Sequence, residues 1–137
     1  MRPKKVWGVG DKVNTKVRNA VKTTYDGINF KSRLEVYTYR RLKEEGFNFD
    51  YEAQSWIIIE KFEYLGEKVR PITIKPDFVD NENKIIVEVK GWATDTYKLR
   101  LKLFKRHLMI NRTEYQIYHV STQKALETLI LELKKDV

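Results

Sequence analysis

The chain has 137 residues, 42% hydrophobic and 34% charged, which fits one soluble globular domain with its own core. Lys and Arg number 27 against 19 Asp and Glu, a formal net charge of +8. There is no cysteine and there are two histidines, so disulfides, thiol catalysis, zinc fingers and HExxH sites are excluded, and no apolar run approaches the roughly 20 residues that span a bilayer.

Residues 1–24 read as a loosely structured basic arm, in which Arg2, Lys4, Lys5, Lys12, Lys16, Arg18 and Lys22 stand against a single acid, Asp11. The arm lacks the apolar segment of a signal peptide and the amphipathic stripe of a membrane-surface helix. Residues 25–137 are the expected folded domain. Asp26-Gly27 predicts a turn. A helix follows over 31–45, with Ser32 as a cap near its start and Gly46 as its end; Phe30, Leu34, Tyr37 and Leu42 lie roughly on one face.

The pattern over 51–65 predicts one long strand. Trp56, Ile58, Phe62 and Tyr64 share a face, while Ile57 and Ile59 share the other with Lys61 and Glu63. The first half is therefore expected to be covered on both sides and the second half on one. Gly66 begins a hairpin turn, and 68–80 return as a second strand in which Pro71 marks an edge or a bulge. A turn at 80–83 leads to a third strand over 84–90, closed by Gly91.

Residues 95–109 have helical spacing, with Tyr97, Leu101, Phe104 and Leu108 along one side. Lys98, Lys102 and Lys105 run beside them in a second basic stretch, 95–106. A fourth strand over 114–120 alternates Tyr115, Ile117 and His119 against Gln116, Tyr118 and Val120. Ser121 is placed to cap a last helix, whose Leu126, Leu129, Ile130 and Leu133 form an apolar stripe. The order α-β-β-β-α-β-α predicts an α/β sandwich with a mixed four-stranded sheet. Clustered positive charge on such a domain suits a polyanion such as nucleic acid, or equally a solvated surface.

The chemistry concentrates in residues 75–91, KPDFVDNENKIIVEVKG. On a strand, Glu88 and Lys90 point to one side and Val87 and Val89 to the other. If Phe78 faces Val87, the apolar sides coincide, residues 81–84 become the loop, and Asp77 falls opposite Glu88. Directly opposed Cβ atoms lie about 4.5–5.5 Å apart. Two carboxylates at that spacing can share one hard cation such as Mg2+. A slip of one residue would put Asp77 among valines. Ile85 and Ile86 are both apolar, so the strand is expected to be central, where unpaired ionisable groups are costly.

Pro76-Asp77 followed by Glu88-Val89-Lys90 resembles the PD-(D/E)XK motif of the restriction-endonuclease-like nucleases. Residues 30–52, with TIKPDFV and VEVKGWATD, are similar to the phage endonuclease I group of Holliday junction resolvases. A family of small phage nucleases opening DGIxFxSxxE is more similar still, matched by Asp26 to Glu35. The likeness covers residues 25–110 and leaves out the arm and the last helix.

The resemblance implies a restriction-endonuclease-like sandwich that hydrolyses DNA with one or two Mg2+ or Mn2+ ions. Asp77, Glu88 and the Val89 carbonyl would be metal ligands, and Lys90 would position the attacking water. Glu35 would assist a second metal, or else be a surface residue pairing locally with Tyr39 or Arg41. Gln54 would be a polar residue near the site. Lys31, Arg33, Lys98 and Lys102 are candidates for phosphate contact, or for simple solvation. The implied substrate is branched DNA, cut by a homodimer in the cytoplasm of a phage host, with 51–80 a candidate exchanged interface or a monomer core strand. A restriction- or repair-type nuclease on duplex DNA and a non-catalytic DNA-binding protein are the alternatives.

Overall fold

The structure, a computed structural model, describes residues 21–135. The expected basic arm lies outside them except for its last residues, of which Thr23 and Thr24 belong to a strand. β1 (Thr23–Tyr25) and β2 (Ile28–Phe30) form a hairpin across Asp26-Gly27, whose φ angles are 56° and 77°. A two-residue turn with both φ values positive matches the natural twist of a hairpin, and Asp-Gly is among the few pairs that adopt it at low cost. α1 (Arg33–Glu44) follows, capped as expected by Ser32, whose Oγ accepts from the Glu35 N–H at 3.1 Å.

The long strand expected over 51–65 is three strands: β3 (Asp50–Tyr51), β4 (Trp56–Ile59) and β5 (Phe62–Tyr64). Glu52 breaks the run, because its φ of 48° turns the chain out of the strand direction. The return is likewise divided into β6 (Glu67–Val69), β7 (Ile72–Ile74) and β8 (Phe78–Asp80). Pro71 and Pro76, which have no N–H to give a ladder, occupy the gaps. β5 and β6 pair across Leu65-Gly66, and β4 pairs with β7 through a bulge between Ile57 and Ile59.

Among the described residues the expected double coverage of the first half does not occur. Trp56 and Ile58 are half-buried against the core, while Ile57, Ile59, Phe62 and Tyr64 are exposed. Alternation separates Trp56 and Ile58 from Ile57 and Ile59 as expected, but among the described residues nothing packs on the outer side of this ribbon.

The main sheet has four strands in the order β10-β9-β8-β3, with β9 (Ile85–Val89) and β10 (Gln116–Val120) parallel and the other pairs antiparallel. Its connection from β9 to β10 is α2 (Asp95–Ile110), and the chain closes with α3 (Gln123–Lys135). Thr122, not Ser121, caps α3, its Oγ1 accepting from the Ala125 N–H at 3.0 Å.

One face of the sheet presents Phe78, Val87, Val89 and Val120 to Phe30, to Leu42 of α1 and to the Leu126, Leu129, Ile130 and Leu133 stripe of α3. The other presents Val79 and Ile86 to Phe104 and Leu108 of α2 and to Ile74 of β7. Phe78, Val79, Ile86 and Val87 are wholly buried, so β8 and β9 are covered on both faces. Each such side chain contributes about 1.5–3 kcal/mol. The fold is thus mixed α/β, with three helices and a mixed four-stranded sheet among the described residues.

Candidate active site

β8 and β9 pair Phe78 with Val87 and Val79 with Ile86, the register that coincident apolar sides demand. Asp77 and Glu88 are the next residues along each strand. The Asp77 N–H donates to Glu88 Oε1 at 2.8 Å, and the Val89 N–H donates to Asp77 Oδ2 at 2.8 Å. Each carboxylate is thus fixed by the backbone of the opposite strand. Asp77 is 8% and Glu88 6% exposed.

Burial, then the charge of Glu88 and that of Glu35, pushes the Asp77 carboxyl up to about 7, against the Val89 N–H and Lys31. Burial also raises Glu88, with Glu35 adding to it and the Asp77 N–H, Lys90 and Lys31 opposing. This pair resists holding two negative charges unless a cation joins it.

Glu35, in the first turn of α1, is buried. Its Oε1 accepts from the Lys31 N–H at 2.7 Å and from the Tyr51 hydroxyl at 2.9 Å. It does not pair with Tyr39 or Arg41, which bond Asp26 and Glu127 instead. Its charge acts on both Asp77 and Glu88, so α1 brings a third carboxylate toward the pair.

Lys31, a candidate for phosphate contact, stands with this group. Its Nζ lies 2.6 Å from Glu52 Oε2, and its charge also acts on Asp77, Glu35 and Glu88. Burial works against the Lys31 charge, but Glu52, Asp77 and Glu35 outweigh it and hold the ammonium above its usual range. The Glu52 N–H in turn donates to the Asp77 carbonyl at 2.8 Å.

Lys90 follows β9 and is exposed. Its N–H donates to the Val120 carbonyl at 2.9 Å, and its Nζ stands 5.1 Å from the centre of the Tyr97 ring. Formally, Glu35, Glu52, Asp77 and Glu88 stand against Lys31 and Lys90, an excess of two negative charges.

Gln54 is not near the pair. Its Oε1 accepts from Asn81 Nδ2 at 2.9 Å, in the turn after β8, whereas Asp77 precedes β8. The reversal after Glu52 carries it to the far end of the strand. Arg33 on α1 and Lys98 and Lys102 on α2 are exposed.

Sequence reasoning missed Tyr51, Glu52, Tyr97 and His119. Tyr51 and Glu52 arrive through a turn that a strand pattern does not announce. Tyr97 fits the apolar spacing of its helix, which hides it among core positions. His119 stands opposite Glu88 in the parallel β9–β10 register, which only the pairing reveals.

Among the described residues no group of three or more His, Cys, Asp and Glu side chains is arranged to hold a metal ion. Asp77 and Glu88 remain a donor pair that suits Mg2+ or Mn2+. Mg2+ keeps most of its waters and is commonly bound through one or two carboxylates, and each of these carboxylates has an oxygen not used in the reciprocal backbone bonds.

Residues 15–125 match the family described as "Protein of unknown function (DUF1064)". The chain belongs to the DUF1064 family. The match spans α1, Asp77, Glu88 and Lys90 and ends within α3. No curated protein and no solved structure matches the chain. Among the described residues no helix is long and apolar enough to cross a membrane.

Proposed function

We propose that this DUF1064 protein is a divalent-cation-dependent endodeoxyribonuclease of the PD-(D/E)XK type in a restriction-endonuclease-like fold. The observation that carries the reading is the buried Asp77–Glu88 pair, cross-held by the backbones of β8 and β9 with Lys90 two residues beyond Glu88. A structural ion pair would not need two mutually repelling carboxylates at the heart of a covered sheet.

Asp77, Glu88 and the Val89 carbonyl are the groups to hold Mg2+ or Mn2+. Such an ion supplies an activated water and relief of negative charge on the phosphate. Lys90 adds a fixed positive charge for the oxygen on which charge develops, and positions the water. Glu35, whose carboxylate accepts from the Lys31 N–H and the Tyr51 hydroxyl, is the residue to assist a second ion through its water shell. Lys31, Arg33, Lys98 and Lys102 are the candidates for phosphate contact.

The substrate class is DNA, and the likeness to phage resolvases points to branched DNA cut by a symmetric homodimer, since resolution requires two incisions. In that setting the enzyme acts in the cytoplasm of the host cell. The test is incubation of the full chain with supercoiled plasmid, linear duplex and a synthetic four-way junction in Mg2+, Mn2+ or EDTA. Cleavage that needs the cation and prefers the junction is the expected result. Equal cutting of linear duplex would turn the reading toward a restriction or repair nuclease. Cation-independent binding with no cutting of any substrate would overturn it in favour of a non-catalytic DNA-binding protein.

A further inference from the structure

Tyr97 lies in the first turn of α2, where the Thr94 cap accepts its N–H at 3.1 Å. It is 9% exposed, and its buried hydroxyl has no hydrogen-bond partner among the described residues. Buried hydroxyls are rarely left unpaired, and one that is unpaired calls for a reason.

The surroundings of Tyr97 supply one. Its ring lies 5.1 Å from Lys90 Nζ and 5.8 Å, centre to centre, from the ring of His119. Lys90 is two residues beyond Glu88 on β9, and His119 is the direct partner of Glu88 on β10. His119 is itself fixed: its Nε2 lies 3.1 Å from the Lys90 carbonyl, which only accepts, so Nε2 carries the proton. Tyr97 is therefore bracketed by the two neighbours of Glu88. Its hydroxyl feels burial first and then the charges of Glu88 and Asp77, all of which hold it in the protonated, donating form.

Glu88 does not use this donor. Its Oε1 is turned to the Asp77 N–H. The second buried hydroxyl without a partner among the described residues, that of Thr38, sits mid-way along α1, on a different element.

We infer that Tyr97 is a positioning residue of the carboxylate site, its hydroxyl donating to the Glu88 carboxylate in the cation-bound protein and to nothing in the cation-free one. The inference rests on the nuclease reading, because it takes Asp77 and Glu88 as cation ligands. It adds to that reading a donor from α2 which orients the ligand. Hydrogen-bond donors behind a ligating carboxylate typically change cation affinity by about 10–100-fold.

The test uses the full chain with Mn2+ alone as the probe. Affinity is measured by titration calorimetry for wild type, Tyr97→Phe and Asp77→Asn, and thermal unfolding is followed in EDTA. Tyr97→Phe is expected to bind Mn2+ at least about 10-fold more weakly. In EDTA it should unfold at the same temperature as wild type or higher, because the missing hydroxyl has no partner among the described residues. Unchanged Mn2+ affinity in Tyr97→Phe, with Asp77→Asn impaired, would overturn the role of Tyr97 alone. A lowered unfolding temperature in EDTA would overturn it too, since it would show a bond already present without the cation. Wild type and Asp77→Asn binding Mn2+ equally, or neither binding, would overturn the nuclease reading and the Tyr97 role with it.

Discussion

Asp77 and Glu88 each receive a backbone N–H, yet burial still pushes both carboxyls up. The Asp77 carboxyl, raised from 3.8 to about 7, keeps its proton in the folded protein over a range where the unfolded chain has lost it. Its contribution to stability is therefore full below about pH 4 and is lost as pH rises toward about 7. Asp77→Asn keeps an acceptor for the Val89 N–H and removes the charge. In EDTA, the variant should match wild type in thermal unfolding near pH 4 and exceed it at pH 8. No gap at pH 8 would mean that the pair is not strained.

Lys90 offers a kinetic counterpart. If the site works as proposed, Lys90→Ala removes a fixed charge that would face the phosphate and should lower single-turnover cleavage by about 10²–10³ while leaving the fold intact. A loss under about threefold would mark Lys90 as an ordinary surface residue of the strand end. At this scale alternation alone placed Asp77 against Glu88, because a one-residue slip buries the wrong faces. Lys31 was legible only as the first residue of the expected helix and a candidate for phosphate contact. Its place among the carboxylates comes from the β1–β2 hairpin and from Glu52, which reaches it from the β3 turn.

α1 shows how an element couples stability to the site. Ser32 accepts the Glu35 N–H while the Glu35 side chain accepts the Lys31 N–H, a reciprocal cap shifted by one residue from the usual box. Ser32→Ala should cost about 1 kcal/mol in chemical denaturation. Because the cap also fixes the helix start, cleavage should fall with it. Glu35→Gln retains an acceptor for Lys31 and Tyr51 but loses the charge, so unfolding should barely change while cleavage drops strongly. Wild-type cutting by Glu35→Gln would confine the chemistry to Asp77, Glu88 and Lys90 with a single ion.

The helices were legible from spacing and caps to within a few residues at each end. The ribbon was not, since a run such as WIIIEKFEYL satisfies a strand pattern throughout. What divides it is a positive φ at Glu52 and the β4–β7 bulge, which depend on tertiary pairing; on the return only Pro71 and Pro76 announce the breaks in advance.

Across the whole molecule, the sheet buries β8 and β9 from both sides, and the site forms where β8 begins and β9 ends. The layered architecture followed from the order of elements, whereas the composition of the sheet did not. β3, only two residues long, supplies the fourth strand in place of the expected long one. In the proposed function, the charge excess of the chain serves affinity for DNA rather than chemistry. Deleting residues 1–20 removes Arg2, Lys4, Lys5, Lys12, Lys16 and Arg18 without touching β1. Binding to junction and to duplex should weaken alike, and the slope of log affinity against log salt should flatten by ~0.9 for each phosphate that the shortened protein no longer neutralises. An unchanged slope would show that the arm does not touch DNA.

The central claim is that the Asp77–Glu88 pair performs cation-dependent hydrolysis while other surfaces bind the DNA. It is tested most directly by one comparison, in which wild type and Glu88→Gln act on an end-labelled four-way junction in Mn2+, with binding to the same junction read in parallel. The account predicts cleavage by wild type alone and equal or tighter binding by Glu88→Gln, whose neutral side chain no longer repels phosphate. Cleavage by Glu88→Gln at the wild-type rate would contradict it.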